Sequence, residues 1–380
     1  MQLLKILKKI KSKFAYYDPS VKVFVSKTKL LKNLKEYQKK YPGLLFAPVL
    51  KSNAYGHGLV PVAEILDKEE IAFLVLDSLH EAMILRNNGI KSEILIIGCT
   101  QPDNILKCKL SKISFTITGL EQLEEIACRA SKRTKIHLKI DTGMHRQGIL
   151  PEQIDKSIEI LKANNSLILE GVCSHFADAD NPNDNFSRSQ IRLWEKSVQI
   201  FRENFKTLKY FHIANTAGIF YSKQTYGNVA RLGIGLYGIN SSFVKELNLK
   251  PVLQIQSIIS SVKKIKAGKQ VGYNNAYRLE RDSIIATVPV GYFEGVDRRL
   301  SNCGYFKIGE TFCPIVGRVS MNITSIDITS VPNTKLGDKV IIISDDANDK
   351  NSAENIAKTA QTIVYEILIH ISQELRRIII

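Results

Sequence analysis

The sequence predicts an α/β protein: a (β/α)8 TIM-like barrel over residues 18–245, followed by a mostly β C-terminal domain over 246–380. Three observations carry this reading. Up to about residue 240, eight short apolar runs alternate with segments of helical period. Beyond that point, β-branched runs succeed one another with turn residues between them. Finally, 380 residues with 44% hydrophobic and 24% charged side chains suit two ordinary globular domains.

The barrel strands are expected at 44–51, 72–77, 93–98, 113–118, 135–141, 167–174, 210–214 and 228–232. Amphipathic segments at 79–87, 120–130, 151–164 and 187–204 lie between several of them. In the second domain the strands are expected at 254–262, 283–290, 324–328 and 339–343, with a helix over 353–377. Residues 1–17 form a basic amphipathic segment, with Lys5, Lys8, Lys9, Lys11 and Lys13 set among Leu3, Leu7, Ile10 and Phe14. Such a stretch can lie on an anionic membrane, dock on the protein or stay solvated; the last two are the simpler readings.

Composition narrows the function. With 53 Lys+Arg against 37 Asp+Glu, the chain carries +16, which invites a nucleic-acid reading. The lysines are mostly scattered, without the arginine and aromatic interleaving of strand-binding surfaces, so no nucleic-acid partner is expected. No window approaches the ~20 apolar residues of a membrane span. Residues 1–14 alternate Leu/Ile with Lys and lack a cleavage site, so a cytoplasmic protein is expected. Cysteines 99, 108, 128, 173, 303 and 313 form no CxxC pair, which argues against a zinc ribbon or a disulfide scaffold. No metal site is expected.

The residues that carry chemistry fall at strand ends. Lys51 closes the first barrel strand ahead of Ser-Asn-Ala-Tyr-Gly-His-Gly. A lysine facing a desolvated pocket should lose basicity and become nucleophilic, the setting of a Schiff-base lysine. In the fifth barrel strand Ile136, Leu138 and Ile140 alternate with His137, Lys139 and Asp141, which turns the polar set inward. An inward Lys139 requires a counter-charge or a chemical modification. His175 ends the sixth strand. Thr216 follows the seventh, and Arg231, Gly233 and Ile234 follow or end the eighth. The loops after the last two strands are the usual phosphate site of this barrel. A lysine amine, a phosphate cradle, an imidazole and an arginine at one rim together suit pyridoxal phosphate.

These motifs resemble those of the alanine racemase family. KSNAYGHG (51–58), KIDTGMHR (139–146), SHFADAD (174–180), HIANTAG (212–218) and ARLGIGLYG (230–238) are similar to its barrel motifs. PVGYFEGVDRR (289–299), GRVSMN (317–322) and VYEIL (364–368) are similar to those of its C-terminal domain. The resemblance implies Lys51 as the cofactor lysine and Tyr273 as the opposing base. It implies Tyr55, Thr216, Gly233, Ile234 and Tyr365 around the phosphate, His175 against the ring and Arg231 on its nitrogen. Arg146 and the backbone N–H of Met321 would receive the substrate carboxylate, and Lys139 matches a lysine often carbamylated in the family. Tyr292, Asp180, His212, Arg298 and Arg318 resemble residues lining the entrance. The resemblance further implies a homodimer with shared sites. The reaction would interconvert L- and D-alanine by two-base proton transfer on pyridoxal phosphate, supplying D-alanine for peptidoglycan.

Departures from the family pattern are His145 where glycine is usual, Asn322 for aspartate, Ser320 for cysteine, and a C-terminus of Arg376-Arg377-Ile-Ile-Ile. The alternatives are a racemase of another small amino acid such as serine, a non-catalytic pyridoxal phosphate carrier, and a Schiff-base aldolase without that cofactor. Tyr365, by narrowing the pocket, favours alanine over serine. The second domain, with Tyr273 and Met321, argues against the carrier.

Overall fold

The first strand, β1 (Lys22–Val25), is not part of the barrel. It pairs antiparallel with β10 (Leu253–Ile258) and parallel with β19 (Arg377–Ile379), both in the sheet of the second domain. Between β1 and β10 the chain therefore leaves the second domain, builds the barrel and returns. The computed structural model describes residues 18–181, 185–241 and 246–380, so the basic segment 1–17 lies outside the described residues.

The eight barrel strands are β2 (Leu45–Pro48), β3 (Leu74–Leu76), β4 (Ile94–Ile96), β5 (Ile113–Ile117), β6 (Thr134–Lys139), β7 (Leu167–Cys173), β8 (Tyr210–His212) and β9 (Val229–Leu232). They follow the expected runs, trimmed at the ends where hydrogen-bonded pairing stops. Strands β3 to β8 form one parallel sheet in sequence order, and β2 pairs in parallel with β9. A parallel bridge between Val49 and Val75 joins the two sheets on one side. The amide of Arg231 bonding Ala214 O at 3.0 Å joins them on the other. Helices cover the outside because their apolar residues recur at helical spacing: Asn185–Asn204 buries Ile191, Trp194, Val198 and Phe201. Alternation fills the interior with Ala47, Val49, Phe73, Val75, Leu95 and Val229.

The second domain holds a six-stranded sheet ordered β16-β15-β18-β10-β1-β19, where β15 is Tyr305–Ile308, β16 Thr311–Pro314 and β18 Lys339–Ile343. A three-stranded sheet pairs β11 (Ser261–Ile265), β14 (Ser283–Val288) and β17 (Thr324–Asp327). Two expectations are corrected. The run 254–262 is not one strand: at Ile259 and Ser260 the chain leaves the large sheet for the small one, bonding Asp338 O and Thr287 O. The expected helix 353–377 is two short helices, Ala353–Thr359 and Val364–Ile369, followed by β19. Gln361 takes a left-handed φ of 53°, which ends the first helix. The strand pattern of Arg377–Ile379 becomes effective only beside β1, more than 350 residues earlier in sequence.

Candidate active site

The C-terminal rim of the barrel opens into a cavity of about 780 Å³, a volume suited to a cofactor with a small substrate. Lys51, Tyr55, Lys139, Arg146, His175, Thr216, Arg231, Gly233, Ile234 and Tyr365 all line it. Asp180, expected at the entrance, lines it too, but five residues named from sequence do not: Tyr273, Met321, Tyr292, Arg298 and Arg318. Tyr273 is 71% exposed and Met321 56% exposed, both on the β domain. His212, expected at the entrance, lines the cavity but is fully buried, held against Arg231. Strand alternation accounts for this, since His212 ends β8 with its side chain inward.

Lys51 begins an unusual piece of backbone. Ser52, Asn53, Ala54 and Tyr55 all have positive φ, between 52° and 57°, making one left-handed helical turn of ordinary residues. Each such residue costs about 1–2 kcal/mol, so the turn stores roughly 4–8 kcal/mol of strain. Barrel side chains hold it. Glu81 Oε1 accepts the Ser52 amide at 2.8 Å, and Asn53 Oδ1 accepts the Leu59 amide at 2.8 Å. The His57 ring donates from Nδ1 to Tyr55 O at 2.9 Å and Ala54 O at 3.1 Å. The turn carries Lys51 and Tyr55 into the same cavity, with Tyr55 packed 5.3 Å from Tyr237 and 5.9 Å from Tyr365, ring to ring.

The loops after β8 and β9 line the same cavity as Lys51. Thr216 Oγ1 accepts the amides of Gly233 at 3.1 Å and Gly235 at 3.4 Å, which brings the β8 and β9 loops together. A side chain at Gly233 would stand 2.9 Å from the Tyr55 hydroxyl, so the glycine keeps that space open. Tyr365 is held by a hydrogen bond with Ser241, which the sequence reading did not single out. Lys51, Lys139, Arg146 and Arg231 give the cavity a positive character that favours phosphate and carboxylate groups.

Arg231 is 5% exposed and anchored on every side. Nη1 donates to His212 O at 2.8 Å and His212 Nδ1 at 2.6 Å, and Nη2 to Ser174 O at 2.7 Å, Ile213 O at 3.1 Å and His175 Nδ1 at 2.9 Å. Because guanidinium only donates, both imidazoles must present a bare Nδ1 and carry their proton on Nε2. His212 Nε2 then donates to His137 Nδ1 at 2.8 Å, so the same logic fixes His137. Burial first, and the charge of Arg231 second, hold His175 and His212 well below ordinary imidazole basicity.

The loop after β6 carries Arg146. Asp141 Oδ1 accepts the amides of Gly143 at 2.9 Å and His145 at 3.1 Å, and Oδ2 lies 3.4 Å from His145 Nδ1. His145 has φ 51°, which explains why glycine is the easier residue here. Lys139 donates to Gln147 Oε1 at 3.3 Å. Burial, with Arg231 and Arg146 nearby, lowers its basicity despite the opposing influence of Cys173 and Asp141. Among the described residues, no group of His, Cys, Asp and Glu is arranged to hold a metal ion, and no helix is long and apolar enough to cross a membrane.

Four histidines, His57, His137, His175 and His212, make the fold acid-sensitive. Burial pushes His57 down to about 4 and His137 to about 3, against the ordinary 6.5. Below pH 6.5 the unfolded chain takes up protons that the folded one refuses, so stability is full above that pH and falls toward pH 4. His57 and His137 each contribute about 3 kcal/mol to that loss. Urea midpoints should therefore be flat from pH 7 to 8 and drop between pH 6.5 and 4. His57→Gln should make the decline shallower, and an equal decline would remove His57 as a source.

A lysine, a phosphate cradle and an anchored arginine at one rim of a barrel, with a β domain attached, define a class of phosphate-cofactor barrel enzymes. Comparison narrows the class. Residues 25–241 match the family model of the alanine racemase N-terminal domain, and 252–379 that of its C-terminal domain. Alanine racemase 1 of Clostridium acetobutylicum is 35% identical over 340 residues, 87% of this chain and 88% of that protein. Alanine racemase from Bacillus anthracis, solved with bound L-Ala-P, superposes with a TM-score of 0.88 at 30% identity, covering 96% of each chain. At 22% identity the Bartonella henselae enzyme shares the fold, with a TM-score of 0.83 over 96% of this chain and all of that one; it is described with covalently bound pyridoxal phosphate. The chain belongs to the alanine racemase family, which is pyridoxal-phosphate-dependent.

Proposed function

We propose that the protein is a cytoplasmic alanine racemase that interconverts L- and D-alanine with pyridoxal phosphate, works as a homodimer, and supplies D-alanine for peptidoglycan. The observation that carries this reading is the convergence of Lys51, the Tyr55–Thr216–Gly233 cradle and Arg231 on one cavity. When bound, pyridoxal phosphate acidifies the α-hydrogen of a joined amino acid by drawing its electrons into the ring. The residues present fit that group. Lys51 would hold it covalently; Tyr55, Tyr365, Thr216 and the backbone at Gly233 and Ile234 would receive the phosphate. His175 would lie against the ring, and Arg231 would bond its nitrogen without protonating it, because guanidinium is a poor acid. Arg146 and the Met321 amide of the partner subunit take the substrate carboxylate.

Two bases then suffice. Lys51 Nζ moves the α-proton on one face, and the hydroxyl of Tyr273 of the partner subunit moves it on the other. The exposure of Tyr273 and Met321, which do not line their own chain's cavity, supports a site completed by a second copy. Lys139, a weakened amine close to two arginines, is read as carbamylated: its neutral nitrogen bonds carbon dioxide and releases a proton to solvent. The negative carbamate then holds Arg146 in place.

The test is reconstitution with pyridoxal phosphate, chiral analysis of a panel of L-amino acids, and borohydride reduction followed by peptide mapping. Alanine should racemise fastest, and the cofactor should be fixed on the peptide carrying Lys51. Preference for serine, label on another lysine, or absence of turnover would each overturn the corresponding part.

A further inference from the structure

We propose that Arg377, on the last strand of the β domain, is a positioning residue for Lys51, because it grips the end of the left-handed turn from across the domain boundary. Its Nε and Nη2 donate to Gly56 O at 3.1 and 2.8 Å. Nη1 donates to Ser372 O at 2.6 Å and Leu375 O at 2.7 Å, and Nη2 also reaches Ile371 O at 3.3 Å. One guanidinium thus ties a barrel carbonyl to three carbonyls of the other domain.

The barrel segment is shaped to receive it. Gly56 has φ 81° and ends the turn, and a Cβ there would stand 2.0 Å from Leu368 O. Gly58 lies under the arginine stem, where a Cβ would meet Arg377 Cγ at 3.1 Å. Residues 56 and 58 are therefore closed in by residues 368 and 377 of the β domain. Left-handed residues persist only where their surroundings over-determine them. Glu81, Asn53 and His57 constrain the turn from within the barrel, and Arg377 supplies the tie at its downstream end. Arginine suits the task because its planar fork presents donors to both sides at once, which an ammonium cannot do. Burial lowers its pKa to about 10, so it stays charged at neutral pH. Arg377 lines no part of the cavity and acts only through the backbone that carries Lys51 and Tyr55.

The proposal rests on reading Lys51 as the cofactor lysine, so its test includes a measurement that needs no cofactor chemistry. Hydrogen–deuterium exchange on the full chain as purified should show peptides over 51–59 exchanging about tenfold faster in Arg377→Met, the loss expected for hydrogen bonds to a charged group. Peptides over 113–117 and 134–139 should exchange as in the unaltered protein. Pyridoxal phosphate should bind the variant about tenfold more weakly, with Arg377→Lys intermediate. Millimolar guanidinium, far below denaturing levels, should restore part of that affinity in Arg377→Ala. Unchanged exchange at 51–59 overturns the proposal, and so does acceleration spread evenly over the barrel. If Arg377→Met does not accumulate, Arg377→Lys is read on the same peptides by the same criteria. Should the unaltered protein fail to bind pyridoxal phosphate, the reading of Lys51 falls, while the exchange data still decide whether Arg377 holds the turn.

Discussion

Lys51→Ala and Tyr273→Phe homodimers should each lose roughly 10²–10⁴-fold in racemisation, the usual contribution of a positioned acid or base. Mixing the two under conditions of subunit exchange should then recover activity. The reason lies in where the groups sit. Lys51 faces the cavity, whereas Tyr273 projects from a short turn of the β domain at 71% exposure and does not line it. A two-fold axis repeats every contact, so a site that pairs Lys51 of one chain with Tyr273 of the other occurs twice. In a mixed dimer one site carries both defects and the other carries neither. Recovery should therefore approach one intact site per mixed dimer. Activity that stays low after proven exchange would mean that each site is built within one chain.

The second large effect is expected at Arg231. Arg231→Glu removes five hydrogen bonds from a buried network and puts an anion between His175 and His212. A carboxylate there raises the basicity of both imidazoles, because it stabilises their charged forms. It would likewise favour a protonated pyridine nitrogen where Arg231 disfavours one. Racemisation should drop by at least about tenfold, as expected when charged hydrogen bonds are lost. Transamination, measured as keto-acid release, should rise. The histidine tautomers offer an independent check: nitrogen NMR should show bare Nδ1 on His212 and His137 in the unaltered protein, and protonated Nδ1 on His212 in the variant. Unchanged products together with unchanged tautomers would remove Arg231 from this role.

The barrel strands and the rim residues were legible because both rest on local pattern. Period-2 alternation in Ile136–Asp141 turns His137 and Lys139 inward, and Lys51, His175, Thr216, Arg231, Gly233 and Ile234 each sit within a few positions of a strand end. Less legible was what needs distant partners. His137 was recognised as inward but not as the end of a chain running through His212 to Arg231, since three strands must close before those rings meet. Ser241 has no motif of its own and matters only because Tyr365 of the other domain comes beside it.

Apolar spacing and turn chemistry thus suffice to specify a barrel, its active rim and the residue types gathered there, because these depend on neighbours in sequence. The left-handed turn after Lys51 is another matter. Asn53 alone in Ser-Asn-Ala-Tyr tolerates a positive φ readily, and the local preference runs against four such values in a row. Glu81 and His57 hold that turn from within the barrel, and Arg377 from the other domain. Likewise β19 becomes a strand of the second domain only beside β1, across almost the whole length of the chain, and β1 only between β19 and β10. Strain of several kcal/mol and pairings of such span can be supported only by a packed tertiary structure, in which many distant contacts act together.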